Sequence, residues 1–216
     1  MNLKPTRSIT KSHRSITGKK PSKKTGNTHR FESTLERDYI TLLEFNDQVD
    51  YYLEQPFPIH YLQDEKDRIY TPDFLVIYKS SANKKPLLSE IKYKADLQLH
   101  GEDYKPKFNA ALKFCEENGY RFSVITEDNI RTTFFRNVVF LNWYKLEQID
   151  DGYATLVLTT LLHLKESTPE ELVTCCENAS TRRERLLYVI WQLVAKTQIS
   201  CDLNSPIAMN SKIWIA

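Results

Sequence analysis

The 216-residue sequence lacks several features that define other classes of protein. It has no run of about 18 apolar residues and no apolar segment of the kind that a secretion signal contains, so we predict a soluble, cytoplasmic protein without a membrane partner. Its four cysteines form no C-x-x-C pair, and no histidine follows them at zinc-ligand spacing. Reduced, structural cysteines are therefore the prediction, rather than a disulfide framework or a zinc site.

The first 30 residues contain no aspartate or glutamate, yet they hold nine lysines and arginines. Because the formal charge of the whole chain is only +2, the remainder of the chain is acidic. Serine, threonine, glycine and proline are frequent in residues 1–30 and apolar anchors are few, which predicts a basic, disordered arm. Such an arm would contact DNA phosphates or a partner protein; a solubilising tail is the alternative.

Residues 69–78 and 87–93 are rich in β-branched and aromatic side chains and are separated by a polar loop, so we predict two adjacent strands. Pro72 cannot donate a hydrogen bond to a neighbouring strand, which places Asp73 at a local irregularity where its carboxylate can face a cleft. On the second strand, alternation puts Glu90 and Lys92 on one face and Ile91 on the other.

This arrangement, Pro72-Asp73 followed by Glu90-Ile91-Lys92, resembles the PD-(D/E)xK signature of restriction-endonuclease-like nucleases. The resemblance implies that the two carboxylates and the Ile91 carbonyl hold Mg²⁺, with Mn²⁺ as a substitute, and that Lys92 orients or activates water. Phosphodiester hydrolysis needs a hard cation that offsets charge and lowers the pKa of water. The alternative is a surface hairpin on which Glu90 and Lys92 form an ion pair.

The flanking segments predict the rest of an α/β domain. Residues 31–47 have helical apolar spacing and carry Glu36, a candidate third acidic residue, although a glutamate at a helix start is usually a surface residue. A strand is predicted at 49–59, with Gln55 a weak candidate for the cleft. A helix at 104–118 and a strand at 121–126 would add a parallel strand to the sheet. Three lysines on that helix face either phosphate or solvent: Lys105, Lys107 and Lys113.

After residue 137 the pattern changes to helices, predicted at 138–149, 153–164, from Pro169, and from Thr181 to about residue 196. Strand-like segments follow at 198–203 and 209–215. Helices followed by a small hairpin are the order of a winged helix, which here would contact DNA through its arginines or, equally, a protein. We therefore predict a nuclease domain over residues 31–149 and a winged-helix C-terminal domain over residues 150–216.

Several runs together resemble the TnsA family, the endonuclease subunit of heteromeric transposases: FESTLERDYITLLEFNDQVDYYLEQPFPIHY, YTPDFLV, SEIKYKADL and GYRFSVITEDNIR. The resemblance covers roughly residues 28–149. It implies a bacterial enzyme that cuts the 5′ strands at transposon ends while a DDE-type transposase cuts and joins the 3′ strands. An AAA+ ATPase regulator is a further implied partner.

The same resemblance implies a site of Glu36, Asp73, Glu90 and Lys92 with two Mg²⁺ ions. Some members have glutamine where this chain has Glu90. Two other classes stay open from the sequence: a stand-alone restriction or repair nuclease, which would cut without a partner, and a non-catalytic DNA-binding adaptor, which would not depend on Asp73.

Overall fold

The computed structural model of the chain describes residues 16–145, 148–176 and 180–216. The chain forms two compact units, Met1–Ile130 and Arg131–Ala216. None of the helices in the described ranges is long and apolar enough to cross a membrane. The elements of the first unit follow in the order β1 (Gly18–Pro21), β2 (Thr28–Phe31), α1 (Thr34–Phe45), β3 (Val49–Glu54), β4 (Ile59–Gln63), β5 (Lys66–Tyr70), β6 (Phe74–Tyr78), β7 (Leu87–Ile91), α2 (Lys94–Asn118), β8 (Arg121–Ile125) and α3 (Glu127–Ile130).

A four-stranded mixed sheet of order β3-β6-β7-β8 forms the centre of the first unit. Neighbouring strands of this sheet are antiparallel, except that β7 and β8 are parallel. The predicted helical crossover between them requires the parallel pairing. Helix α1 packs on one face through Leu35, Ile40 and Leu43, and α2 packs on the other through Ala111 and Cys115. The predicted mixed sheet flanked by helices is therefore present.

The predicted strand at 69–78 is broken where the sequence places Pro72. Residues before the break form β5, which pairs with β4 in a separate hairpin, and residues after it form β6 in the central sheet. The predicted strand at 49–59 is likewise divided between β3 and β4, because Gln55 has a left-handed φ of 44° and Pro56 follows it. These breaks redirect the chain and leave Asp73 just before β6.

Residues 16–30 differ from the predicted disordered arm, since β1 and β2 form an antiparallel hairpin. Local composition does not reveal the contacts that hold it. His29, which is 2% exposed, bonds the buried Glu54 of β3, and Ser22 Oγ donates to Glu44 Oε1 at 2.5 Å. The remainder of the predicted arm, residues 1–15, lies outside the described residues.

Gly18 of this hairpin lies against the ring of Phe31, so that a β-carbon at Gly18 would overlap the ring. Because Phe31 is buried, we expect Gly18→Ala to lower the free energy of unfolding by about 1–3 kcal/mol. Urea denaturation would measure this. Gly101→Ala in α2 is the control: a β-carbon there meets nothing within 4 Å, and alanine favours a helix over glycine, so stability should not fall. Wild-type stability of Gly18→Ala would mean that the hairpin adjusts freely around residue 18.

Helix α2 begins ten residues before its predicted start, at Lys94. It is kinked at His100, contains Pro106 and ends at Gly119, whose φ of 71° is the left-handed conformation that glycine accommodates best. The early part of the helix is mostly exposed, which explains why apolar spacing reveals only the part after residue 104. The kink and the later turns bring the helix over the central sheet.

The second unit contains four helices and three strands in its described part: α4 (Thr133–Lys145), α5 (Asp151–Leu164), β9 (Glu166–Ser167), α6 (Pro169–Cys176), α7 (Ser180–Ala195), β10 (Ile199–Cys201) and β11 (Ile213–Ile215). The predicted capping box is present, since Thr168 Oγ1 accepts from Glu171 N–H and Glu171 Oε2 accepts from Thr168 N–H. The strands form a sheet of order β10-β11-β9. Helices precede a small hairpin as predicted, while the winged-helix assignment and the domain limits 31–149 and 150–216 stay predictions.

Candidate active site

Asp73 is held at the junction between the central sheet and the β4–β5 hairpin. Its carbonyl accepts the N–H of Gln55 at 2.9 Å, and its Oδ2 accepts the N–H of Ile91 at 2.7 Å. The second bond crosses to the end of β7, so the carboxylate lies next to the backbone of the Glu90-Ile91-Lys92 segment. Its side chain is one-fifth exposed, which leaves it accessible from solvent.

The Lys92 ammonium lies among three oxygen atoms. Its Nζ is 2.9 Å from Glu90 Oε1, 3.1 Å from the Ile91 carbonyl oxygen and 3.7 Å from Asp73 Oδ2. The predicted alternation is present, because Ile91 is buried in the core while Glu90 and Lys92 meet on the other side. Asp73, Glu90 and Lys92 are thus brought together as the sequence predicts.

Two residues outside the predicted set also bind Glu90. Lys107 Nζ of α2 is 2.9 Å from Glu90 Oε1, and the Tyr70 hydroxyl of β5 donates to Glu90 Oε2 at 2.7 Å. From the sequence, Lys107 is predicted only to face phosphate or solvent, and Tyr70 is not predicted to belong to the site. The available signal was that a crossover helix packs on the sheet, so that some of its polar side chains must face the strands.

Glu36 is less closely associated with these groups. Its Oε2 accepts the Glu32 N–H at 2.8 Å and its Oε1 accepts the Ser33 hydroxyl at 2.9 Å, while Ser33 Oγ caps α1 by accepting the Glu36 N–H. Burial raises the pKa of Glu36, and its charge in turn raises the pKa of Asp73. Glu36 therefore interacts electrostatically with the site, while its hydrogen bonds described above lie within its own helix turn.

The lysines of the site do not fully offset the negative charge around Asp73. Burial, followed by repulsion from Glu90 and Glu36, raises the pKa of Asp73 well above its ordinary value, although Lys92 opposes the shift. Glu90 is also buried, but Lys92 and Lys107 outweigh that effect and lower its pKa. Burial disfavours the Lys92 ammonium as well, but Asp73 and Glu90 outweigh it and raise the pKa of Lys92. An added cation next to Asp73 would relieve the repulsion.

The residues present fit a hard divalent cation. Asp73, Glu90 and the Ile91 carbonyl supply only oxygen atoms, which suits Mg²⁺ or Mn²⁺ better than softer metals. In this structure the Lys92 ammonium already stands as a cation among these three oxygens. Within the described residues no group of three His, Cys, Asp or Glu side chains is close enough to hold a metal.

Gln55 lies beside this site and has an unusual environment. Gln55 is 8% exposed, its Nε2 is 3.4 Å from Glu32 Oε1, and its Oε1 has no hydrogen-bond partner in the described part of the chain. Its backbone N–H donates to the Asp73 carbonyl. Gln55 thus lies beside Asp73 in the backbone, while within the described residues no hydrogen bond links its side chain to Asp73 or Glu90. A role for its side chain in the cleft stays a prediction.

A mixed sheet flanked by helices, with carboxylates and lysine at one end, fits an α/β nuclease. Two family models match the chain in tandem: TnsA-like endonuclease N terminal over residues 46–127 and TnsA endonuclease C terminal over residues 129–203. The chain belongs to the TnsA family of endonucleases. Asp73, Glu90 and Lys92 lie within the first match, whereas Glu36 precedes it. A search of curated proteins finds no significant match.

Proposed function

We propose that the protein is the endonuclease subunit of a Tn7-type transposase and hydrolyses the 5′ strands at the transposon ends in a metal-dependent reaction. Membership of the TnsA family supports the endonuclease activity and the role in transposition. The observation that carries the metal-dependent chemistry is the position of the Lys92 ammonium, among oxygen atoms of Asp73, Glu90 and Ile91.

In the proposed site, Asp73, Glu90 and the Ile91 carbonyl would hold Mg²⁺, and Glu36 would contribute to a site for two ions. Bound Mg²⁺ would lower the pKa of a water ligand and offset the charge of the phosphodiester. Without a metal ion, the nearby Asp73 and Glu90 carboxylates raise the pKa of Lys92. In the proposed role, Lys92 positions the attacking water or stabilises the phosphate.

DNA is the proposed substrate, and the second cut at each end is assigned to a DDE-type transposase partner, with an AAA+ ATPase as regulator. In the described part of the basic segment, Lys19, Lys23 and Arg30 are exposed and suited to phosphate contact. The C-terminal unit is proposed to be a winged helix that contacts a partner protein or DNA. Two of its arginines also bind within the unit, Arg185 to Asp150 and Arg183 to Thr174.

Asp73→Ala should change the products of transposition in cells that carry the element and all partner subunits. Loss of the 5′ cut leaves the 3′ ends able to join, so simple insertions should be replaced by cointegrates while total joining is retained. Sequencing across insertion junctions separates the two products. Asp67→Ala in the exposed β4–β5 hairpin is the matched control and should give simple insertions. Identical products from Asp73→Ala and the wild type would exclude this site from strand cleavage.

A further inference from the structure

Glu90 is engaged on both carboxylate oxygens by side chains from outside its own strand. Lys107 Nζ lies 2.9 Å from Oε1, and the Tyr70 hydroxyl donates to Oε2 at 2.7 Å. Glu90 is only 2% exposed, so its ionised form requires such partners to offset the loss of hydration. Two contacts from separate elements, α2 and β5, therefore fix both the charge and the orientation of this carboxylate.

The Lys107 side chain is held in place by neighbouring side chains. Its ammonium lies 4.5 Å from the ring centre of Tyr104, 5.0 Å from that of Tyr70 and 5.2 Å from that of Phe108, which are cation–π distances. Its side chain is 19% exposed. Neighbouring Lys105 is 64% exposed and pairs with Glu102, as expected for a lysine on a solvated helix face. Lys107 is thus held in an aromatic enclosure and directed at Glu90.

The two lysines that meet Glu90 Oε1 have different surroundings. Lys92 also contacts Asp73 and the Ile91 carbonyl, and so lies among the proposed metal ligands. Among the described residues, the ion pair of Lys107 is with Glu90. If a divalent cation took the place of the Lys92 ammonium among the three oxygens, Lys107 and Tyr70 could still bind the Glu90 carboxylate, through Oε1 and Oε2 respectively.

We propose that Lys107 and Tyr70 are positioning residues that clamp Glu90 in the orientation needed to bind a divalent cation. This inference rests on the proposed function, because it assumes that Asp73 and Glu90 hold the cation. Groups that orient a metal ligand through hydrogen bonds typically contribute about 10–100-fold to metal affinity. The clamp thus adds residues of β5 and α2 to the site, outside the Pro72-Asp73 and Glu90-Ile91-Lys92 segments.

The test is calorimetric titration of the full chain with Mn²⁺, without DNA, on Lys107→Met, Lys107→Arg, Tyr70→Phe and the control Lys105→Met. We expect Lys107→Met to bind Mn²⁺ about 10–100-fold more weakly and Lys107→Arg to recover part of that loss. Tyr70→Phe keeps the ring under the Lys107 ammonium but removes the bond to Oε2, and should weaken binding by a smaller factor. Lys105→Met should bind as the wild type does.

The outcomes separate the clamp from the metal site itself. Asp73→Asn is included because it should abolish Mn²⁺ binding; if it binds as well as the wild type, or if the wild type does not bind, the proposed metal site is wrong. If Asp73→Asn loses binding while Lys107→Met and Tyr70→Phe both bind normally, the clamp alone is overturned. Circular dichroism checks that each variant folds. If Lys107→Met does not fold, wild-type Mn²⁺ affinity in both Lys107→Arg and Tyr70→Phe would also overturn the clamp.

Discussion

Lys92→Met should lower the rate of 5′-strand cleavage by about 10²–10³-fold, the usual effect of removing one donor that stabilises charge in a transition state. Methionine has a similar length and no charge, so the substitution removes the ammonium that lies 2.9 Å from Glu90 and 3.7 Å from Asp73 while largely preserving volume. Binding of a divalent cation should be retained, because no proposed ligand is lost. Single-turnover cleavage of end DNA by the assembled transposase, at saturating Mg²⁺, measures the effect.

Lys94→Met is a matched control for this experiment. Lys94 is two residues further along, is half exposed, and pairs with Asp128 outside the proposed site. Its loss should leave the cleavage rate within about twofold of the wild type, since exposed ion pairs contribute little. Cleavage by Lys92→Met at the wild-type rate would remove Lys92 from the proposed mechanism. An equal loss in both variants would point to general attraction of DNA rather than to a specific donor.

The part of the site that could be predicted from sequence is the part encoded locally. Glu90, Ile91 and Lys92 are adjacent on one strand, so the alternation of side chains alone fixes their faces. The position of Asp73 could be predicted because Pro72 interrupts strand pairing next to it, so that the Asp73 side chain lies at an irregular point of the sheet. The sequence also predicted the parallel pairing of β7 with β8, because a helix between two strands brings the second back in the same direction.

Contacts between residues distant in sequence were the part that could not be predicted. The bond from Lys107 to Glu90 spans 17 positions, and it depends on where the kink at His100 directs α2. The hairpin of residues 16–30 likewise depends on His29 meeting Glu54, 25 positions away. Average composition describes a segment as if it were alone, and therefore favoured disorder for residues that become ordered only against the sheet.

The two carboxylates of the site should have opposite effects on the stability of the metal-free protein. Asp73 has a raised pKa, so the folded state binds its proton more tightly than the unfolded state does, and this stabilisation is lost as pH rises through the raised pKa. Glu90 has a lowered pKa, so its contribution is present above the ordinary carboxyl pKa and is lost as pH falls through the lowered one. Ionisation of Asp73 therefore opposes folding, whereas ionisation of Glu90 favours it.

We accordingly expect Asp73→Asn to raise the melting temperature in EDTA at neutral pH and Glu90→Gln to lower it. Removing one partner of a fully buried ion pair costs about 3–5 kcal/mol, and since Lys92 and Lys107 are each about one-fifth exposed, about 1–3 kcal/mol is the expectation for Glu90→Gln. For a chain of this size that corresponds to about 2–4 °C for each 1 kcal/mol. The difference for Asp73→Asn should shrink as the pH falls through the raised pKa of Asp73, because folded Asp73 then becomes neutral like asparagine. The difference for Glu90→Gln should persist to lower pH and shrink only as the pH falls through the lowered pKa of Glu90.

Asp67→Asn and Glu65→Gln provide matched controls, because both side chains are exposed in the β4–β5 hairpin. Neither should move the melting temperature by more than about 2 °C, since an exposed charge changes stability by less than about 0.5 kcal/mol. A shift of the same sign for Asp73→Asn and Glu90→Gln would contradict the proposed division of charge. The excess negative charge would then not be concentrated at Asp73, and the main electrostatic reason for placing a cation beside that carboxylate would be lost.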